Sequence, residues 1–322
     1  MRRWISGFSL FVTVTSLLFS SAAGAVSAPV NGSPGQGLEI SPPVVELQVD
    51  PGQSVSTEIR IRNVTRGELI AKGRADDFGA GKDESGQPQL LLDEAGATRY
   101  SLKYWVASVP DVDLAPQELK QVSVTINVPK NAEPGGHYGV IRFTALPPNM
   151  EGTGVALSAS VGTLVLLKVR GEIKENLNLS EFSTGQNKRK TNFFEYSPVD
   201  FVVRLQNTGS VHEKPVGSIV VKDMFGKQVS SLALNPKGGS VLPDSIRRFE
   251  NSMDNKKVFG RYTAKLELTY SDSKKLSSSV TFWIVPWRLI ILLLIGAVVL
   301  FFLMRQAIRR YNQYIIGQAR RR

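Results

Sequence analysis

The sequence has no cysteine, two histidines and, before residue 283, no stretch with convincing helical periodicity. Without cysteine there are no disulfide staples, thiolate metal sites or cysteine nucleophiles. His137 and His212 lie in different parts of the chain, so a multi-histidine metal centre has too few ligands. No nucleophile elbow, His-Glu-x-x-His helix or phosphate-cradling glycine loop is present. Acidic residues are missing from the first 25 and the last 35 positions. Disorder is excluded by composition: 42 % of the 322 residues are hydrophobic and 21 % charged.

The net charge of +11 and the pI of about 9.8 suggest nucleic acid until the charge is located. Nine of the 39 basic residues sit in the two acid-free ends, and the 262 residues between hold 30 basic and 28 acidic side chains. The ends are also where the long apolar runs are. Arg2 and Arg3 precede an apolar run from Ile5 to Phe19, followed by Ala23-Gly24-Ala25. This reads as a signal peptide over 1–25, with Ala28 as the second choice of cleavage site. A Pro-, Gly- and Ser-rich linker is expected over 26–37. The run 283–304 is long enough for a transmembrane helix. Trp283, Trp287 and Arg288 are placed at its outer interface, and Arg305, Arg309 and Arg310 begin a basic tail over 305–322. Positive charge favours the cytoplasmic side. The expectation is a single-pass protein of a bacterial cell membrane, its N-terminal region outside, with no nucleic-acid partner.

Between the ends the pattern has period two. Val55, Thr57, Ile59 and Ile61 alternate with polar residues, as do Val122, Val124, Ile126 and Val128, and Tyr262, Ala264, Leu266 and Leu268. Such alternation predicts strands with one buried and one wet face. The fold expected is all-β: two immunoglobulin-like β-sandwich domains over 38–172 and 173–282, followed by one transmembrane α-helix. A faint repeat supports two copies. Asn63, Leu114-Ala115-Pro116 and Gly136-His137-Tyr138 correspond to Asn207, Leu242-Pro243 and Gly260-Arg261-Tyr262. The tyrosines are expected to play the corner role found in such sandwiches. The first copy carries extra length between Phe78 and Trp105. Charge divides at the same boundary: 26–173 holds 13 basic and 17 acidic residues, 174–287 holds 17 and 11. The basic half would be drawn to anionic lipid or wall polymer, or it is an ordinary solvated face.

Chemistry-bearing residues are few. Asp76, Asp77, Asp111 and Asp113 are the candidates for a convergent carboxylate pair, and they lack the regular oxygen ligands of a calcium loop. Tyr100, Tyr104, Trp105, His137 and Tyr138 are the candidate ligand-binding residues, since aromatic faces serve sugar rings and protein hot spots. The alternative for Trp105 is a core position, and for His137 a backbone-bonded turn. No metal or cofactor is expected.

Several segments of 38–170 carry a resemblance: Leu38-Glu39-Ile40-Ser41-Pro42, Val49-Asp50-Pro51-Gly52, Asp76-Asp77-Phe78, Tyr100 to Val106, and above all Val128 to Ile141, which contains Pro134-Gly135-Gly136-His137-Tyr138. This region resembles the WxL-interacting proteins of Gram-positive bacteria. The resemblance implies an exported surface protein whose N-terminal immunoglobulin-like domain binds peptidoglycan, and it implies a surface-protein partner by analogy. The second half resembles generic bacterial immunoglobulin-like modules more than the family's host-binding domain. No Leu-Pro-x-Thr-Gly precedes the apolar run, so sortase transfer is not expected. The function expected is non-enzymatic binding of peptidoglycan, another anionic wall polymer or a surface protein through the first domain. The alternatives are a protein–protein scaffold without glycan binding and, more distantly, an envelope hydrolase.

Overall fold

The computed structural model describes residues 37–91, 97–146, 159–255, 259–271 and 273–319. The expected signal peptide, residues 26–36 of the linker and Arg320, Arg321 and Arg322 lie outside them. The described chain is β-sheet followed by one apolar helix, as expected.

Four sheets enclose two separate apolar cores. In the first half, β1 (Leu38–Ser41), β3 (Ser54–Asn63) and β7 (Leu119–Asn127) form one antiparallel sheet. The facing sheet runs β2 (Val44–Val49), β9 (Ser160–Val169), β8 (Gly135–Leu146), β4 (Leu69–Ala80), β5 (Pro88–Leu91), with β6 (Val112–Leu114) beside β4. The first half thus begins in one sheet and crosses to the other, where β2 lies parallel to the last strand, β9. Ile59, Ile61, Val124 and Ile126 pack against Ile141, Phe143, Val165 and Leu167.

The chain passes to the second half between Val169 and Leu177. There β10 (Leu177–Gln186), β11 (Arg189–Lys190), β13 (Val199–Asn207) and β16 (Ser245–Met253) make one sheet, in the order β11-β10-β13-β16. The other runs β12 (Phe193–Phe194), β18 (Lys274–Ile284), β17 (Gly260–Tyr270), β14 (Val216–Asp223), β15 (Gln228–Leu234). Phe201, Val203 and Leu205 meet Ala264, Leu266 and Phe282 in its core. With no disulfide available, burial of such side chains, ~1.5–3 kcal/mol each, has to hold both halves.

The repeat read from the sequence has a physical basis in two asparagines. Asn63 ends β3, fully buried, and its Nδ2 donates to the carbonyls of Gly67, Leu114 and Ala115, while its Oδ1 accepts from Thr65 N. Asn207 ends β13 in the same manner. Its Nδ2 donates to Val211 O and Val241 O, and its Oδ1 accepts from Gly209 N. Each side chain satisfies a turn and the segment that crosses beside it, groups that water cannot reach.

The tyrosine part of the repeat is out of phase. Tyr262 faces the core, and its hydroxyl accepts from Phe259 N and donates to Phe259 O, the corner role. Tyr138 does not do this. On β8 the odd residues Ile141, Phe143 and Ala145 point inward, so His137 faces in and Tyr138 faces out. It is His137 whose Nε2 donates back to a backbone carbonyl, that of Glu133, at 3.1 Å.

The helix also departs from expectation. The run predicted to start at 283 starts at Trp287, and α1 continues to Ala319. Trp283 and Ile284 belong to β18, held by pairing with Arg261 and Gly260 of β17 and with Phe193 and Phe194 of β12. Pro286, which has no amide hydrogen, then suits the first helical turn. Arg305, Arg309 and Arg310, placed in the basic tail, lie on the continuation of the same helix. Within Trp287–Asn312 a window of 18 residues reaches a mean hydropathy of 2.7, and none of that window is buried against the protein. At about 1.5 Å per residue, this is long and apolar enough to cross a membrane.

Replacing Asn63 or Asn207 by alanine strands several buried carbonyls. The expected loss is roughly 3 kcal/mol in each case, read as a lower urea midpoint at unchanged slope. A loss below about 1 kcal/mol would mean that water reaches these groups.

Candidate functional site

The candidate residues divide between two places, because neighbouring residues on a strand point to opposite faces. The first place is a cavity of about 290 Å³ lined by Thr98, Arg99, Tyr104, Trp105, Asn131 and His137, among others. A short 3-10 turn, Lys103–Trp105, forms one wall. That turn is held by Asp77, whose Oδ1 accepts from Leu102 N and Lys103 N at 2.8 Å each. Trp105 is half-buried. One side packs on the first core and its ring lies 4.2 Å from that of His137. It is therefore both a core residue and a wall, where the sequence left the two readings open. Tyr104 is 60 % exposed, with the Lys103 ammonium 5.1 Å from its ring centre. Burial lowers the pKa of His137, which favours the neutral ring. An aromatic wall beside a guanidinium, an amide and hydroxyls can bind a polar ring by stacking and hydrogen bonds.

Tyr100 and Tyr138 are not in that cavity. They belong to the junction of the two halves. Tyr138 is buried in an apolar cluster with Phe78, Val140 and Leu166, against which Leu242 of the second half packs. Its hydroxyl lies 3.4 Å from His212 Nδ1. The Tyr100 hydroxyl donates to Asp244 Oδ2 at 2.6 Å, and Gly136 N donates to Ser210 O at 2.8 Å. Gly135 has φ +143°, and a Cβ there would stand 2.9 Å from Ser210 O. The Pro134-Gly135-Gly136 turn is thus glycine-rich because the second half approaches its backbone. At another edge, Glu84 accepts from Arg204 Nε at 2.8 Å, and its carbonyl accepts from Arg248 N at 2.8 Å. Lys214 pairs with Glu46. The partners Glu46, Glu84, Arg204, Lys214, Asp244 and Arg248 were not singled out from the sequence. The near-neutral charge of the 262 residues between the ends hid pairs that form between distant segments.

Burial perturbs the junction's titrations. It pushes Tyr100 up to about 12, with the acceptor Asp244 adding to the effect. Tyr138 moves in the same direction for the same first cause. His212 is pushed down to about 4 by burial. Glu213, adjacent in sequence and 3 % exposed, is pushed up to about 7, by burial first and then by the charge of Glu175. A second cavity of about 290 Å³ lies beside this cluster, lined by Phe78, Leu164, Leu166, Leu242, Ile246 and Arg247 among others. The Arg247 guanidinium donates to Ser240 O at 2.7 Å and lies 5.1 Å from the centre of the Phe249 ring.

The carboxylates proposed as a pair are not one. Asp76 and Asp77 are consecutive on β4 and point apart. Asp76 lies between Arg74, at 3.0 Å, and Arg142, at 2.8 Å, whereas Asp77 anchors the 3-10 turn. Asp111 accepts from Gly73 N at 3.0 Å, and Asp113 lies on β6. Each of the first three is engaged by a separate backbone or guanidinium partner. Among the described residues no group of three or more His, Asp or Glu side chains is placed to hold a metal ion.

No protein-family model matches the chain, and no curated protein matches it. Solved structures do align with it. The class 5 fimbriae chaperone CfaA is 15 % identical, with a TM-score of 0.38 over 78 % of this chain and 100 % of that one. The YadV chaperone is 12 % identical, with a TM-score of 0.38 over 76 % and 100 %. The E. coli chaperone DraB is 12 % identical, with a TM-score of 0.36 over 76 % and 98 %.

The junction makes stability depend on pH in two opposed ways. The raised pKa of Glu213 leaves it without penalty below about 4.5 and destabilises the fold increasingly as pH rises through 7. His212, lowered, is without penalty above 6.5 and destabilises as pH falls toward 4. Glu213→Gln is therefore expected to stabilise the protein at pH 8 and to leave it unchanged at pH 4. Thermal melts across that range check this. A constant offset at all pH values would show that Glu213 does not titrate there.

Proposed function

We propose that the chain is a non-enzymatic, membrane-anchored protein of the bacterial cell surface, built of two immunoglobulin-like sandwiches, the first of which binds peptidoglycan or a related anionic wall polymer. The observation that carries this reading is the cavity at Tyr104, Trp105 and His137. It joins an exposed aromatic ring, a half-buried indole and hydrogen-bonding groups from Arg99 and Asn131 on one rim. Sugar rings bind to such combinations of apolar face and polar edge. The resemblance of 38–170 to WxL-interacting proteins points the same way. Anchoring rests on the apolar helix α1, and orientation on its arginine-rich, acid-free distal part, which favours the cytoplasm.

A second reading, a surface-protein scaffold, has one specific observation in its favour. Among the described residues the outer edge of β7 is covered only locally, by Val106 pairing with Ile126 and by Ala107 N donating to Thr125 O. The rest of that edge could accept a strand from a partner.

The two readings separate in a pull-down. The full chain in detergent should sediment with insoluble peptidoglycan well above an albumin control. Tyr104→Ala should weaken retention roughly two- to tenfold, in line with the ~0.5–1.5 kcal/mol of an aromatic contact. No retention above the control removes the glycan reading. Stoichiometric co-purification of another surface protein, lost when the β7 edge is blocked by proline at Ser123, would replace it.

A further inference from the structure

The second half exposes large apolar side chains at one end. Among the described residues these are Phe193, Tyr196, Met224, Phe225, Phe259 and Trp283, and only Val216 lies elsewhere. Strand pairing shows why they share an end. Phe193 pairs with Trp283, Trp283 with Arg261, and Tyr262 with Asp223, the last residue of β14 before the turn that carries Met224 and Phe225. The Met224 methyl reaches within 2.5 Å of where a Cβ of Gly260 would be, so the turn lies over the start of β17. α1 begins at this same end, two residues after β18.

The turn is a built feature. Asp223 Oδ1 accepts from Phe225 N and Lys227 N at 2.9 Å each, and Asp223 O accepts from Gly226 N at 3.0 Å. Gly226, with φ +83°, supplies the conformation that a side chain would resist. The result holds Phe225 outward with 88 % of its surface exposed, an arrangement that water disfavours. Exposed basic residues stand at the same end: Lys227, Arg261 and Arg288. Aromatic rings with a basic fringe match the headgroup layer of a bilayer, where rings are half solvated and ammonium or guanidinium groups meet phosphate.

We infer that this end of the second half is a lipid-seating surface. Where α1 crosses the bilayer, Phe225, Met224 and Phe259 dip into the outer headgroup region beside Trp283 and Trp287. The sheets then stand on the membrane at several points instead of swinging from one helix. This rests on the anchoring proposed above and adds to it the orientation of the folded part.

The cysteine-free sequence makes the test direct, since one introduced cysteine carries one label. The full chain is placed in nanodiscs of phosphatidylcholine and phosphatidylglycerol. Spin labels are attached at Phe225→Cys, Phe259→Cys, Val298→Cys in the helix and Leu119→Cys on the first half. Collisions with oxygen and with a water-soluble nickel chelate are then compared. The label at Val298 should be shielded from nickel, and the label at Leu119 should not. The proposal expects several-fold loss of nickel collisions at 225 and 259 relative to 119. Nickel access at 225 and 259 equal to that at 119, with 298 shielded, overturns the seating surface and leaves the anchor standing. Nickel access at 298 as well overturns both.

Discussion

Strand β8 is buried on both faces through the first part of its length, and much of the molecule follows from that. An antiparallel sheet usually keeps one face wet. Here the inward residues Ile141 and Phe143 fill the first core, while the outward Tyr138 and Val140 make a second apolar surface that water must leave. Tyr100 of the first half and Leu242 and His212 of the second cover it. The glycines at the head of β8 let Ser210 approach the backbone closely enough to complete the contact. With no disulfide to clamp the halves, packing and a few hydrogen bonds on this strand hold them.

The charge split gains a meaning from the same contact. The first half is net acidic and the second net basic. Two of the pairs that span the junction follow that order, Glu84 with Arg204 and Glu46 with Lys214, while Lys168 with Glu175 reverses it. Each is partly exposed and so contributes little by itself. Together they favour one relative placement of the halves, since each pair is lost when either half slides. Part of the second half's basicity is thereby used within the molecule. What remains at its far end, with exposed aromatic rings, faces the start of the helix.

Much of the fold could be read in the sequence because period-two alternation is a local property. Along β3, β7 and β17 the alternation matched the faces, with exposed Leu119 and buried Thr57 and Asn63 as the exceptions. The asparagine repeat was legible too, since the same buried hydrogen-bonding task was solved twice with the same residue. The tyrosine repeat misled because Gly-x-Tyr spacing does not report strand phase, and a shift of one residue exchanges the faces. That shift sends His137 inward and Tyr138 toward the other half. The candidate site was half legible for the same reason: Tyr104, Trp105 and His137 do meet, and Tyr100 and Tyr138 serve the junction instead.

Composition and pattern alone determined the all-β character, the apolar helix and the absence of thiol chemistry, since these depend on residue type and on spacing within a few positions. Tertiary structure alone decided where β18 yields to the helix, because the ladder with β17 outweighs the apolar character of Trp283 and Ile284. It also decided that Asp76 and Asp77 serve structure separately, that Glu213 is buried while its neighbour His212 packs on Tyr138, and that exposed rings from three separate turns gather at the end where α1 begins. Each of these depends on pairing between segments far apart in the chain, and no local pattern of residues records which strands will become neighbours.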